Sequence, residues 1–245
     1  MKVFGPMRTL YLLVLCSITF YSSAKDLVIG VEEIDYAPYY YTEDKQYLGF
    51  AKEYFEAFAH QYGHQIHFKP LPIKRLYKSL IDGKIDLKFP DNPVWAEGTK
   101  KGFAIAYSTP IVEYIDGLLV PPDKADLTLE QVKSIGTVRG FTAWDYLGRI
   151  KSGQTKSREV NSLDALIKMS VNHRLDGAYF NVAVANYALQ YKLKQPEALI
   201  FAKQLPHTRS HYTASTLNQL DLLKQINQFN LSDQAKAIKQ KYNLN

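Results

Sequence analysis

The sequence predicts an α/β protein built from two similar halves, and three observations carry that reading. Apolar patterns run β-α-β-α-β between Asp26 and Phe89, the same order recurs between Ser134 and Phe180, and the third strand of each half opens on a matching tetrapeptide. The tetrapeptides are Gly83-Lys84-Ile85-Asp86 and His173-Arg174-Leu175-Asp176.

In the first half, Asp26 to Val31 is a short β-rich run followed by an aromatic loop. Phe50, Tyr54, Phe55, Phe58 and Tyr62 fall on one helical stripe that Gly63 is placed to end. Ile66 and Phe68 alternate as in a strand, Leu76, Tyr77, Leu80 and Ile81 form a second stripe stopped by Gly83, and Ile85 to Phe89 is the third strand. In the second half, Ser134 to Val138 is a strand, Thr142 to Arg149 a helix, and Arg158 to Val160 a strand. Ser162 caps a helix through Leu163, Leu166, Ile167 and Val171, and Leu175 to Phe180 is the last strand. Helical patterns follow at Leu220 to Phe229 and Ser232 to Tyr242. Short extended segments at Glu113 to Val120 and Leu205 to Tyr212 are the expected crossovers, which let the C-terminal helices return to the first half. The expected bodies are residues 25–114 plus 210–245 and residues 115–209, with a hinged cleft between them.

Residues 1–24 are an address label. Lys2 and Arg8 precede an apolar stretch from Leu10 to Phe20, and Ser22-Ser23-Ala24 sets small residues before a cut after Ala24. This is the order of a secretory signal peptide, and the stretch is shorter than the roughly 20 apolar residues of a membrane span. Leu15 before Cys16 is a poor fit to lipidation. The expected location is therefore the periplasm.

Composition excludes several classes. Hydrophobic residues make up 46% and charged residues 22% of 245, an ordinary globular balance. Without Lys2 and Arg8, 28 basic residues face 24 acidic ones, too small and dispersed a surplus for nucleic acid. A single cysteine excludes an intramolecular disulfide and any multi-cysteine metal centre.

Several fragments, in order, carry a family resemblance. Gly49-Phe50, Gly83-Lys84-Ile85-Asp86, Tyr107-Ser108-Thr109-Pro110, Ile135 to Ala143, Arg174 to Ala178 and the Lys236 to Asn243 helix resemble the periplasmic solute-binding proteins of the amino-acid type, family 3. The resemblance implies a type II fold with two lobes closing on a small-molecule ligand. It implies delivery to an inner-membrane ABC permease or signalling through a sensor, without a cofactor, in a monomer.

It also implies a site. An aromatic residue from the loop after the first strand stacks on the ligand, and Tyr36, Tyr39, Tyr40 and Tyr41 occupy that loop, with Tyr39 and Tyr41 the leading choices. The loop after the third strand, with Asp91, Asn92 and Trp95, supplies further contacts. The family's carboxylate-gripping arginine is absent, and Lys101 stands nearest its place, with Lys100 beside it and an exposed lysine pair as the plainer alternative. Arg139 offers positive charge in the second lobe, and Thr142 an N-cap with Asp145 as reciprocal partner. Where the family carries an acid for the ligand's α-amino group, this chain has Asn181. The set is net positive and suits a polar or anionic ligand better than a standard zwitterionic amino acid.

No nucleophile elbow, zincin, Walker or dinucleotide motif is present, so the chain reads as a binding protein rather than an enzyme. A dehydratase or lyase on the same fold would need Asp91, Glu97 or Asp145 as a perturbed acid or base. His60, His64 and His67 have no completing ligand set and read as a solvated helix end.

Overall fold

The computed structural model describes residues 25–44 and 46–244. The first half contains β1 (Asp26–Glu32), a hairpin of β2 (Tyr41–Glu43) and β3 (Gln46–Leu48), α1 (Phe50–Tyr62), β4 (Gln65–Leu71), α2 (Ile73–Ile81) and β5 (Leu87–Asp91). Short elements α3 (Glu97–Lys100) and β6 (Ala106–Tyr107) lead into the crossover strand β7 (Val112–Val120). The second half contains β8 (Ser134–Val138), α4 (Leu147–Lys151), β9 (Lys156–Val160), α5 (Leu163–Val171), β10 (Gly177–Asn181) and α6 (Val182–Tyr187). Then β11 (Ile200–Phe201) and the second crossover β12 (Thr208–Thr216) precede α7 (Leu220–Asn230) and α8 (Asp233–Lys241).

Both halves use one strand order. The parallel trio β4-β1-β5 of the first is matched by β9-β8-β10 in the second, and each ends on an antiparallel crossover, β12 beside β5 and β7 beside β10. The crossovers differ from expectation. Each is a nine-residue strand rather than a short extended link, and Val112–Asp116 pairs with Thr208–Tyr212. Hydrogen bonding therefore runs unbroken through both halves along the order β4-β1-β5-β12-β7-β10-β8-β9.

The repeated tetrapeptides have a mechanical purpose. Asp86 Oδ2 accepts from the backbone N–H of Val28 at 2.8 Å, and Asp176 Oδ2 accepts from that of Ser134 at 2.8 Å, so each pins the start of its half's central strand. Gly83 and His173 both take left-handed φ, 67° and 54°, to turn the chain from helix to strand. Two residues beyond each pinned amide stands a glycine. A Cβ on Gly30 would strike Leu76 and Ile85, and one on Gly136 would strike Leu166 and Leu175. The helix lies that close to the sheet in both halves.

The core is strongly aromatic. Phe50, Tyr54, Phe55 and Phe58 of α1 are fully buried, each side chain worth about 1.5–3 kcal/mol in burial alone, and Gly63 closes the helix in a left-handed turn at φ 72°. Phe229 of α7 meets Tyr54 at 5.0 Å between ring centroids, Tyr242 beyond α8 meets Phe50 at 6.1 Å, and Lys241 pairs with Glu53 at 2.7 Å. Thus the C-terminal helices pack on the first half.

One predicted helix is recast. Instead of Thr142 to Arg149, a 3-10 turn spans Trp144–Tyr146 and α4 starts only at Leu147. Thr142 is exposed and its side chain caps nothing, while Asp145 is drawn away to the hydroxyls of Tyr179 and Thr208, the latter at 3.0 Å. His64 also departs from a solvated helix end. It is buried, with Nε2 and Gln225 Oε1 2.8 Å apart.

Candidate functional site

A cleft of about 600 Å³ lies between the halves, at the C-terminal ends of the parallel strands. Crevices at strand ends between α/β lobes are where such folds hold ligands. Its first wall carries Glu32, Tyr36, Tyr40 and Tyr77, and its second carries Arg139, Gly140, Phe141 and Phe180. The crossover strands form its floor with Tyr114, Asp116 and Tyr212, and Trp95 closes one side.

The first wall is set by the loop after β1. The N–H of Tyr36 donates to the carbonyl of Tyr40 at 2.8 Å, and that tight turn alternates the tyrosines between cleft and core. Carbonyls of Pro38 and Tyr39 receive the first free amides of α1, from Phe50 at 3.0 Å and Ala51 at 2.9 Å. Gly49 permits this approach, since it sits at φ 99° and a Cβ there would come within 2.9 Å of the Pro38 carbonyl. Consequently Tyr36 and Tyr40 line the cleft. Tyr39 is buried behind them with its hydroxyl donating to the carbonyl of Glu113 at 2.9 Å, and Tyr41 leaves on β2 beside Tyr187.

The loop after β5 is scaffold rather than wall, except at Trp95. Asp91 is fully buried, accepting from Tyr77 at 3.1 Å, from Ser215 at 2.6 Å and from the N–H of Asn92 at 2.8 Å. Lys88 and Lys100 flank it at 3.7 and 3.8 Å. Lys88 is buried under the ring of Tyr77, 4.4 Å from its centroid, and burial lowers its pKa against the pull of Asp91 and Glu32. Asn92 ties the loop to β12, donating to Ser210 Oγ and the carbonyl of His211, both at 3.2 Å. The ammonium of Lys100 donates to the carbonyls of Asn92 and Pro93 at 2.8 and 3.0 Å. This braced loop presents Trp95 to the cleft, packed on Tyr114 and Tyr212 at 6.1 and 5.8 Å.

Neither lysine of the pair enters the cleft. Lys100 is part of the buried brace, and Lys101 is exposed beside a shallow depression with Glu97 and Phe103. Asn181 is likewise structural: it is fully buried, and its Oδ1 accepts from the N–H of Val184 at 3.1 Å as the cap of α6. Of the residues singled out from sequence, Trp95 and Arg139 therefore line the cleft together. Tyr39, Asp91, Asn92 and Asn181 stand directly behind its wall, and Tyr41, Lys101 and Thr142 lie outside its lining.

The charge balance changes accordingly. The cleft holds Glu32, Asp35 and Asp116 against Arg139, so its lining is not net positive. Asp35 is exposed and paired with Lys192. Glu32 is buried and accepts from the hydroxyl of Tyr40 at 2.8 Å; burial raises its pKa, opposed by Lys88 and that hydroxyl. Burial pushes the Asp116 carboxyl up to about 7, aided by Asp145 and opposed by hydrogen bonding with the side chain of Asn181.

Sequence carried signals for both acids. Glu32 closes a parallel strand at the end where ligands bind, and Asp116 is an acid set between Ile115 and Gly117, where the crossover strand turns apolar through Leu118, Leu119 and Val120.

These features define a two-lobed α/β binding fold with an interdomain cleft. The chain belongs to the bacterial extracellular solute-binding proteins, family 3, whose family model matches residues 27–244. Among solved structures it is similar to substrate binding domain 2 of GlnP from Lactococcus lactis in an open conformation, with TM-score 0.66 and 15% identity over 89% of this chain and 93% of that one. It is similar also to an ancestral arginine-binding protein bound to arginine, with TM-score 0.63 and 21% identity over 89% and 97%. A histidine kinase sensor domain with similarity to periplasmic binding proteins gives TM-score 0.64 and 16% identity over 89% and 95%. The fold is the mixed α/β type II periplasmic-binding fold. No curated protein matched the sequence. Family 3 proteins are mostly binders rather than enzymes. Among the described residues no helix is long and apolar enough to cross a membrane. The signal-peptide expectation, residues 1–24, lies outside the described residues.

Proposed function

We propose that this protein captures a small amino-acid-like solute outside the cytoplasm by closing its two lobes, residues 25–114 plus 210–245 and residues 115–209, and passes it to an ABC-type permease. The observation that carries the reading is the cleft itself. Groups of both signs, Asp116 and Arg139, stand in one aromatic-lined crevice of about 600 Å³, a size that encloses a molecule of a few to a dozen or so heavy atoms. Rings of Tyr36, Tyr40, Trp95 and Phe141 supply flat apolar contact, and Arg139 supplies a fork for a carboxylate. Export by a signal peptide cut after Ala24 and action as a monomer complete the proposal.

Delivery to a sensor is the second reading, favoured by the likeness to a histidine kinase sensor domain. The test is mass spectrometry of small molecules released from the purified protein, followed by calorimetry with the compound found. One-to-one binding that Arg139→Ala weakens by about 30-fold or more supports the site, and binding unaffected by that change contradicts it.

A further inference from the structure

Resting on that reading, the structure points to the chemistry of one end of the ligand. We propose that the solute carries a protonated amine and that Asp116, on the cleft floor within a ring of tyrosines, is the group that receives it.

The cleft's three acids are not equivalent. Asp35 is paired with Lys192, and Glu32 already accepts from Tyr40 and feels the buried ammonium of Lys88. Asp116 has no cationic partner, and the group beside it is the neutral amide of Asn181, opposite it across the β7–β10 pairing. The Oδ1 of Asp116 is buried without a hydrogen bond, and none of the ion pairs among the described residues includes it. Leaving a carboxylate oxygen out of water and unbonded is costly, and the Asn181 amide beside it offers a dipole but no countercharge, so a cationic donor in the cleft would be strongly favoured.

Its surroundings favour a cation as that donor. Tyr36 and Tyr39 face it from the loop after β1, Tyr212 from β12, and Tyr114 stands two residues along its own strand. Tyr114 and Tyr212 stack at 4.5 Å, and burial raises the pKa of both. They remain neutral hydroxyls whose ring faces attract an ammonium. From the second half come Asp145 and Tyr179, which share a hydrogen bond, together with Asn181. Asp145 adds negative potential while being satisfied by Tyr179 and Thr208. The other charged groups lining the cleft are Glu32, Asp35 and Arg139. Burial holds the Asp116 carboxyl up at about 7, so an incoming ammonium drives off the proton that part of the population carries.

The test screens the twenty common L-amino acids, their decarboxylated amines and their deaminated acids by thermal shift against the purified protein. The strongest amine-bearing hit then goes to calorimetry at pH 7 in phosphate and in Tris, whose different ionisation enthalpies report proton release. The expected result is binding by amines, net proton release at pH 7, and affinity falling toward about tenfold per pH unit below 7. Asp116→Asn should weaken binding by roughly 30-fold or more and abolish the release, while Arg139→Ala weakens binding with the release retained. Hits confined to deaminated acids, an amine that binds wild type without proton release, or one that binds Asp116→Asn within about threefold of wild type would overturn this inference alone. No stabilisation by any compound would overturn the solute-binding reading and this inference with it.

Discussion

The two halves end their central strands differently from their third strands, and the contrast separates binding from bracing. At the ends of β1 and β8 stand Glu32 and Arg139, which line the cleft from opposite walls with opposite charge. At the ends of β5 and β10 stand Asp91 and Asn181, equally polar, fully buried, and turned into the scaffold. Asp91 gathers Lys88, Lys100, Tyr77 and Ser215, and Asn181 caps α6. A polar residue in the right place of a family pattern is thus not automatically a ligand contact. What decides is where the group's acceptors are engaged: those of Asp91 and the Oδ1 of Asn181 are bonded inside the protein, and the Asn181 amide nitrogen is buried rather than presented in the cleft lining.

Breaking the brace should produce the largest effect. Asp91→Ala strands two lysine ammonium groups in the interior, and urea unfolding should show a loss of about 3–5 kcal/mol. A loss below about 1 kcal/mol would remove Asp91 from the scaffold and return it to the site.

The acid that lacks an ion pair should behave oppositely. The folded-state pKa of Asp116 is about 7 against an ordinary 3.8, so the native protein holds a proton that the unfolded chain has already released. Its contribution to stability is therefore lost as pH rises from about 4 to 7. Ligand-free Asp116→Asn should be more stable than wild type at pH 8, by up to about 4 kcal/mol, with the advantage fading toward pH 4. Equal stability at both pH values would show that Asp116 has a cationic partner in solution.

Smaller effects sharpen the contrast on the second half. Asn181→Ala should cost about 0.5–2 kcal/mol of stability through the lost cap while ligand affinity changes much less. Lys101→Ala, at an exposed position outside the cleft, should alter both stability and affinity by less than about 0.5 kcal/mol. A tenfold loss of affinity in Lys101→Ala would revive the lysine as a clamp.

The fold could be read from sequence because its rules are local and periodic. The aromatic stripe of α1 ending at Gly63, and the tetrapeptides ending at Asp86 and Asp176, place helix ends and strand starts by spacing alone. The helix expected at Thr142 failed because Asp145 found tertiary partners in Tyr179 and Thr208, which no local pattern contains. The site was only partly readable for the same reason. Trp95 and Arg139 sit on segments whose ends the strand pattern fixes, whereas the choice between Tyr39 and Tyr40 turns on the tight Tyr36–Tyr40 bridge. Neither Lys100 nor Lys101 enters the cleft, because a brace draws Lys100 inward and leaves Lys101 in solvent. The sequence marks Asp116 as an acid in a crossover strand, but that it lies buried on the cleft floor without an ion pair is a property of three-dimensional surroundings.

The protein's two tryptophans provide the most direct test of the cleft as the binding site. Trp95 lines the cleft against Tyr114 and Tyr212, whereas Trp144 is 67% exposed outside its lining. In Trp144→Phe the remaining indole reports only from the cleft, and titration with the strongest-binding amino acid or amine should change its emission saturably, with the Kd given by calorimetry. Calorimetric binding to that same variant with no change in Trp95 emission would place the ligand elsewhere and contradict the account.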